Sequence, residues 1–311
     1  MPNNKIKGFL LGAIAAATYG MNPLFALPLY ADGMNPESVL FWRYLLAVVM
    51  VAVMLRVRGW SFAVEKRVAI ALGALGVAMA LSSLGLFMSY NYMPAGIAST
   101  LLFVYPIMVA VIMAVCFGER VRALTVVCLL MATGGIALLY KGENGATLSL
   151  LGTLLVLGSA LLYAVYLVAV SRRGLKEVPT LVVTFYVLLF GLGVFVAEFI
   201  AGVPMAIPSG SEWWLWGNLV CLALFPTVIS FVCTTRAIHY VGSTPTAILG
   251  SLEPVTAVVI GVLVFGETLT ARDLLGLVVI VTAVTLVVAG GGLTRPLLRF
   301  RKLFAVIRRH K

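Results

Sequence analysis

The sequence predicts an all-α polytopic membrane protein with ten transmembrane helices, and three observations support this fold class. Of the 311 residues, 62 % are hydrophobic and 11 % are charged, whereas a soluble domain has about 25 % charged residues. The apolar residues form stretches of the length, roughly 20 residues, that a helix needs to cross a bilayer. Most of the charged residues lie in the short linkers between these stretches.

The ten apolar stretches are numbered below as spans one to ten. We expect them at residues 8–30, 37–55, 68–91, 94–117, 123–140, 148–170, 179–201, 213–236, 242–266 and 273–293. Span one follows Lys5 and Lys7, and Ala15-Ala16-Ala17 resembles the cleavage site of a secretory signal. Because the apolar run continues to Pro28, we interpret this segment as a retained span.

The charge distribution predicts the orientation of the chain in the membrane. A net charge of +11 would indicate nucleic-acid binding in a soluble protein, but short cytoplasmic loops of membrane proteins also collect Lys and Arg. With the N-terminus inside, 19 of the 22 Lys and Arg residues fall on the inner side, and only Lys141 and Arg272 fall outside. We therefore predict cytoplasmic termini and no nucleic-acid partner.

Three spans carry a proline next to a polar side chain near mid-membrane. These pairs are Asn22-Pro23 in span one, Tyr105-Pro106 in span four and Glu253-Pro254 in span nine. Proline removes a helical hydrogen bond, and opened backbone at membrane depth is tolerated where it lines a cavity. The three pairs therefore predict a shared cavity near the midplane.

The other spans give less specific signals. Span two carries Arg43, and span six carries Tyr163 and Tyr166. Span eight begins with an aromatic group that is typical of the membrane interface, Trp213, Trp214 and Trp216.

The sequence does not show the residue patterns expected of an enzyme. The four cysteines all lie inside spans and form no C-x-x-C pair: Cys116, Cys128, Cys221 and Cys233. The two histidines, His239 and His310, belong to no HExxH motif, and the chain has no P-loop. We predict that the protein is not an enzyme and needs no cofactor.

The two halves of the chain resemble each other. A shift of 148 residues aligns Tyr92, Pro106 and Phe117-Gly118-Glu119 with Tyr240, Pro254 and Phe265-Gly266-Glu267, and a shift of 144 aligns Gly8 and Tyr19 with Gly152 and Tyr163. Matched Tyr, Pro and Gly-Glu at fixed offsets indicate a duplication, which we assign to a first repeat at 1–141 and a second at 147–294.

Each repeat holds five spans, so the second repeat begins on the opposite face of the membrane. The two five-helix repeats are therefore inverted. Secondary transporters often have this arrangement, with a substrate site near the midplane between the repeats. We expect one repeat to rock against the other about that site.

These features resemble the EamA family of the drug/metabolite transporter superfamily. The resemblance rests on the two repeats, on Trp42-Arg43-Tyr44 in span two, on Leu252-Glu253-Pro254-Val255 in span nine, and on the Gly-Glu that closes spans four and nine. It covers nearly the whole chain. It implies a bacterial inner-membrane exporter of amino acids or related small metabolites. Transport could be secondary active or facilitative, and the pattern is equally compatible with import.

Glu253 is the acidic residue placed deepest in the predicted membrane region. A carboxylate in lipid costs about 2.5–3.5 kcal/mol on insertion scales, so such a group usually has a partner or a task. It could line the cavity, bind and release a proton during transport, or fix helix packing. Because the Glu-Pro pair belongs to the family pattern across unlike substrates, it does not identify the substrate.

Arg43 and the mid-depth polar residues complete the predicted substrate site. Arg43 could extend its side chain to the interface, or it could pair with Glu253 or a substrate carboxylate. A tyrosine in a helix bundle is often a packing residue. We nevertheless predict that one pocket is lined by the candidate binding residues Tyr19, Asn22, Arg43, Tyr105, Tyr163 and Glu253.

The segment 295–311 predicts a basic amphipathic helix on the cytoplasmic leaflet. Its apolar side holds Leu297, Phe300 and Leu303, and its remaining surface is rich in Arg and Lys. Each cation contributes about 1 kcal/mol of attraction to anionic lipid.

Two alternatives to a transporter are compatible with the sequence, namely a lipid scramblase and a non-transporting membrane assembly protein. Neither role requires inverted repeats around a polar midplane.

Overall fold

The computed structural model describes residues 2–117, 123–140, 149–170, 175, 178–208, 212–241, 249–250, 252–283 and 285–286. Regular structure in this part of the chain is helical, without strands. Seven helical segments are long and apolar enough to cross a membrane: Lys5–Ala31, Pro36–Val57, Lys66–Ser89, Ala95–Phe117, Leu150–Val170, Thr180–Ile200 and Trp213–Thr234. They correspond to predicted spans one to four and six to eight.

The described residues of the first half form seven helices. They are α1 (Pro2–Gly20), α2 (Asn22–Ala31), α3 (Pro36–Val57), α4 (Lys66–Ser89), α5 (Ala95–Leu102), α6 (Tyr105–Phe117) and α7 (Ala123–Tyr140). The second half contains α8 (Leu150–Val170), α9 (Thr180–Ile200), α10 (Trp213–Ala223), a π-helical turn (Leu224–Ile229), α11 (Ser230–Val241), α12 (Leu252–Phe265) and α13 (271–283). Predicted spans five, nine and ten coincide in position with α7, α12 and α13. The predicted amphipathic helix at 295–311 lies outside the described residues.

Two of the three expected helix breaks occur inside a span. Span one is divided at Met21, immediately before Asn22-Pro23, and span four is divided at Phe103 and Val104, immediately before Tyr105-Pro106. In each case the proline lies in the first turn of the next helix, where its missing N–H group costs no hydrogen bond. Glu253-Pro254 likewise lies in the first turn of α12.

A fourth irregularity was not predicted. Span eight changes from α-helix to a π-helical turn at Leu224–Ile229 around Pro226 and returns to α-helix at Ser230. Single π-turns inside helices are rare and are often found at functional sites.

The halves pack against each other rather than separately. In the first half, α4 packs on α8 and α9, and α1 packs on α11 and α12 of the second half. Small residues allow the close approach, since a Cβ atom at Gly85 would lie 2.9 Å from the Leu155 carbonyl oxygen and one at Gly8 would lie 2.7 Å from the Tyr240 Cβ. The region between the halves is therefore lined by helices from both.

Equivalent contacts recur on the two sides of this interface. The Ser82 hydroxyl donates to the Ser159 carbonyl oxygen at 2.9 Å, and the Ser230 hydroxyl donates to the Ala15 carbonyl oxygen at 2.9 Å. The shifts of 148 and 144 residues that align the repeats convert the first pair into the second. The contact of α4 with α8 thus has its counterpart in the contact of α11 with α1.

One end of the molecule is held by contacts between α3 and the loop at 201–208, which we call the clasp. Asn35 Nδ2 donates to the Pro204 carbonyl oxygen at 3.0 Å, and the Ala206 N–H group donates to Ser38 Oγ at 2.8 Å. The Trp42 ring packs edge-on against the Trp216 ring with centroids 5.1 Å apart. These contacts join the first half to the second.

A second connection between the halves involves Glu267, which follows α12. Its Oε1 accepts a hydrogen bond of 2.8 Å from the Ala95 N–H group at the beginning of α5. A carboxylate is favourable there because the first N–H groups of a helix carry partial positive charge.

Candidate functional site

Polar side chains from both halves meet in two adjacent regions of the helix bundle. The first, which we call the tyrosine–glutamate cluster, consists of Tyr19, Tyr105, Tyr163 and Glu253. The second is a cavity around Arg43, which we call the arginine cavity.

The tyrosine–glutamate cluster brings together four of the six predicted binding residues. The Tyr105 and Tyr163 rings pack edge to face with centroids 4.7 Å apart. Glu253 lies within electrostatic range of the hydroxyl groups of Tyr19, Tyr105 and Tyr163. All four side chains are partly buried, and they come from α1, α6, α8 and α12.

The close approach of span one to Glu253 depends on Gly20. A Cβ atom at this position would lie 2.5 Å from the Glu253 carbonyl oxygen and 2.7 Å from the Thr256 Cβ. Those neighbours are backbone and Cβ atoms, which cannot move away through a change of side-chain rotamer. Only glycine therefore lets the end of α1 contact the first turn of α12.

Asn22 lies at the break in span one and is 2 % exposed. Its Nδ2 donates to the Tyr19 carbonyl oxygen at 2.9 Å, while its Oδ1 has no hydrogen-bond partner among the described residues. A buried acceptor without a partner is costly, by about 1–3 kcal/mol. Asn22 therefore retains an unused acceptor at the break in span one, and beyond its bond to the Tyr19 backbone no described contact places it in the cluster or in the lining of the arginine cavity.

Arg43 is 5 % exposed and projects from α3 into the second region. Its Nε donates to Thr227 Oγ1 at 2.9 Å, and its guanidinium carbon lies 5.3 Å from the centroid of the Phe87 ring. Thr227, in the π-helical turn, donates its own hydroxyl hydrogen to the Leu222 carbonyl oxygen at 3.2 Å. Arg43 forms no salt bridge within the described part of the chain, so it does not pair with Glu253 in this conformation.

The arginine cavity is narrow in this conformation, because the space open to the centre of a water-sized sphere is about 10 Å³, room for about one water molecule. The empty space around it, about 320 Å³, includes open solvent. Its described walls come from α3, α4, α8, α9, the π-helical turn and α11. They are Arg43, Tyr44, Met79, Ser83, Tyr166, Thr184, Val187, Leu188, Thr227 and Phe231.

Of these wall residues, only Arg43 belongs to the set predicted from the sequence. Thr227, Thr184 and Ser83 were missed because isolated hydroxyl side chains in apolar helices commonly bond to their own backbone. Pro226, next to Thr227, was the available signal. The 148-residue shift relates Met79 to Thr227 and Ser83 to Phe231, so the cavity lies where equivalent helices of the two repeats face each other.

Tyr19 connects the two regions. Its hydroxyl lies within electrostatic range of both Arg43 and Glu253, and Tyr166 of the cavity stacks on Tyr163 of the cluster with ring centroids 6.1 Å apart. A cation and an acidic group thus both lie within electrostatic range of one tyrosine hydroxyl without forming a salt bridge with each other. This arrangement suits a ligand that carries both charges.

The fold and this polar region between packed halves define a class, the polytopic helical membrane proteins with an internal site. The sequence profile described as the EamA-like transporter family matches residues 6–141 and 150–289. The chain belongs to this family.

Similar proteins include exporters. The chain is 28 % identical over 201 residues to a "Threonine/homoserine exporter RhtA" of Salmonella typhimurium, and the match spans 63 % of each chain. It is 27 % identical over 228 residues, 72 % of each chain, to the protein of that name in Escherichia coli K12. An "Uncharacterized transporter" of Archaeoglobus fulgidus is 31 % identical over 58 % of this chain and 62 % of its own.

A solved crystal structure has the same fold. It superposes with a TM-score of 0.65 over 90 % of this chain and 96 % of the other, at 21 % sequence identity.

Proposed function

We propose that the protein exports small metabolites, with amino acids as the first candidates, by alternating access around the site between its halves. In this proposal ten helices form two inverted five-helix repeats, 1–141 and 147–294. Both termini lie in the cytoplasm of a bacterial cell, and 295–311 contacts anionic lipid of the inner membrane. The substrate contacts are Tyr19, Asn22, Arg43, Tyr105, Tyr163 and Glu253.

The observation that carries the proposal is Arg43, which is 5 % exposed, lines a cavity between the halves and forms no salt bridge with a described residue. Arg43 and Glu253 both lie within electrostatic range of Tyr19. An amino acid at neutral pH has a carboxylate and an ammonium group a few bonds apart. Charged side chains within a membrane bundle are rare and are usually functional. An unpaired arginine and an acidic group around one polar region are complementary to such a zwitterion.

The Salmonella and Escherichia relatives are named as exporters of threonine and homoserine. Both compounds are α-amino acids with a hydroxyl group. The polar side chains around the site, including Asn22 Oδ1 and the Tyr19 hydroxyl, offer hydrogen bonds that such a side chain can use. Hydroxylated amino acids are therefore the first substrates to test.

The contacts between the halves support an alternating mechanism. In the proposed orientation the clasp and the Glu267–Ala95 hydrogen bond lie on the outer side, where both join the first half to the second. The arginine cavity extends toward Tyr166 and Thr184, which lie near the inner ends of spans six and seven. The structure then corresponds to a state that is closed on the outside.

Proteoliposomes test the proposal. We expect vesicles containing the protein to exchange labelled amino acid for the same unlabelled amino acid trapped inside, with threonine and homoserine among the panel. Empty vesicles are the control. A fluorescent-lipid scrambling assay on the same vesicles tests the main alternative, because lipid flipping without amino acid exchange would contradict the proposal.

A further inference from the structure

We propose that the arginine cavity is the carboxylate subsite of the transporter and that Thr227, on the π-helical turn, positions Arg43 in it. The inference rests on the proposed transport function and specifies its substrate class, compounds with a free carboxylate.

The first observation is the charge of Arg43. A guanidinium stays protonated in proteins, so its charge cannot be removed by burial. The side chain is 5 % exposed and forms no salt bridge with the described residues. The Phe87 ring, 5.3 Å away, compensates part of that charge. An anion bound in the cavity would neutralise the rest of the positive charge of Arg43.

The second observation is the orientation of the hydrogen-bond donors. Arg43 uses Nε for Thr227, and its terminal nitrogens Nη1 and Nη2 donate to no described residue. These two nitrogens belong to a side chain that lines the cavity. A guanidinium binds a carboxylate through two parallel N–H groups, which gives both strength and direction. The free terminal nitrogens fit this mode.

The third observation is the asymmetry between the repeats at this point. Where the first repeat has Met79, the second has Thr227, and both side chains line the cavity. In the π-helical turn, the Thr227 hydroxyl donates its hydrogen to the Leu222 carbonyl oxygen. The hydroxyl oxygen therefore accepts the hydrogen bond from Arg43 Nε. Thr227 thus fixes the rotation of the guanidinium and leaves Nη1 and Nη2 without a described hydrogen-bond partner.

If the carboxylate of an amino acid binds Arg43, its ammonium group lies on the side of the tyrosine–glutamate cluster. Tyr19 lies within electrostatic range of both Arg43 and Glu253. With the carboxylate on Arg43, the rest of the molecule extends past Tyr19 toward the tyrosine–glutamate cluster. Thr227 is a positioning residue in this scheme, and Arg43 is the group that contacts the substrate.

The test compares each transported amino acid with its primary amide, for example L-threonine with L-threoninamide, in the exchange assay. The amide keeps the amine and the side chain but lacks the carboxylate. We expect the parent protein to prefer the acid by about tenfold or more, since a hydrogen bond to a charged group contributes a factor of that order. Arg43→Gln should lose this preference, and Arg43→Lys should keep part of it.

Thr227 is tested by Thr227→Val, which preserves shape and removes the hydroxyl. We expect KM for the acid to rise by about tenfold with little change in maximal rate or in amide exchange, and Thr227→Ser should restore the parent KM. Thr153→Val is the matched control, because it removes a buried hydroxyl that bonds to the Ser149 carbonyl outside the cavity. Melting in detergent monitors the folding of every variant.

The outcomes separate the two proposals. If the parent exchanges acid and amide equally well, the carboxylate subsite is wrong while the transport function stands. If Thr227→Val changes acid and amide alike, Thr227 has no positioning role. If the parent exchanges no compound of the panel, the transport function fails and the subsite fails with it.

Discussion

Gly20 shows how a single missing side chain can determine the geometry of the site. Its Cα lies so close to α12 that an added Cβ atom would approach the Glu253 carbonyl oxygen to 2.5 Å. The contact joins the broken span one to the first turn that carries Glu253. Tyr19, the neighbouring residue, is held near Glu253 by the same contact.

We therefore predict that Gly20→Ala destabilises the protein, although alanine is the better helix former by about 1 kcal/mol. Overpacking against backbone atoms costs about 1–3 kcal/mol, so a lower melting temperature in detergent is expected. Gly193→Ala in α9 is the matched control, because a Cβ atom there meets nothing within 4 Å. An unchanged melting temperature for Gly20→Ala would show that α1 and α12 can separate without cost.

Glu253 is the residue for which a proton-carrying role is most direct. It is the deepest acidic residue of the predicted spans, and no described cation forms a salt bridge with it. If it binds and releases a proton in each cycle, Glu253→Gln should abolish accumulation of substrate driven by a pH gradient. Exchange at equal concentrations should persist with KM raised by about tenfold, because glutamine keeps the shape and hydrogen bonds but offers no charge to the substrate ammonium group.

The pair of assays, accumulation and exchange on the same vesicles, separates coupling from binding. If Glu253→Gln accumulates substrate as the parent does, the carboxyl group is structural and transport is downhill or driven by exchange. Wild-type vesicles without a pH gradient provide the reference rate.

Among the structural elements, the interrupted helices were partly predictable. Proline beside a polar residue correctly indicated the breaks at Met21 and before Tyr105, since proline cannot continue the hydrogen-bond pattern of the preceding turn. The π-helical turn at Leu224–Ile229 was not predicted, although it contains Pro226. Proline indicates that a helix is disturbed, but packing around it decides whether the helix ends or inserts an extra residue.

The arginine cavity explains why the predicted site was incomplete. Charge or aromatic character at mid-depth indicated the residues of the tyrosine–glutamate cluster, and a charge within a span indicated Arg43. These signals could not indicate Thr227, Thr184 or Ser83, because their importance depends on which side chains face them across the interface. That information comes from the packing of α3, α4 and α9 and is not contained in the periodicity of any one helix.

We predict that the contacts of the clasp open during transport. In a variant without native cysteines, a disulfide between Ser38→Cys and Ala206→Cys should arrest transport, because α3 could no longer separate from the loop at 201–208. The 2.8 Å hydrogen bond between Ala206 N and Ser38 Oγ brings the two positions near the short Cβ–Cβ distance of a disulfide. Exchange rates before oxidation, after oxidation and after reduction provide the measurement.

Each single-cysteine variant should be insensitive to oxidation, which serves as the control. Reduction of the double variant should restore at least most of the initial rate. Full exchange activity in the cross-linked protein would mean that the clasp stays closed throughout the cycle, and the outer opening would then have to lie elsewhere.

At the scale of the whole molecule, the duplication was the most informative property of the sequence. The shifts of 148 and 144 residues, found from Tyr, Pro and Gly-Glu positions, also relate the Ser82–Ser159 hydrogen bond to the Ser230–Ala15 bond. Neither pair had been used to find the shifts. The sequence repeat therefore corresponds to a repeated pattern of helix packing, since equivalent residues occupy equivalent helix contacts.

The orientation of the molecule in the membrane determines whether the clasp lies outside the cell or in the cytoplasm, and cysteine labelling can measure it. Single cysteines at Met205 in the clasp loop and at Ser61 between α3 and α4 lie on opposite sides in the proposed topology, and both native side chains are exposed. In intact cells a membrane-impermeant maleimide should label Met205→Cys and leave Ser61→Cys unlabelled until the membrane is permeabilised. The reason is the strong bias of Lys and Arg toward the side that carries Ser61, which favours its retention in the cytoplasm. The opposite labelling pattern would invert the molecule, move the clasp to the cytoplasmic side and make the present conformation one that is closed on the inside.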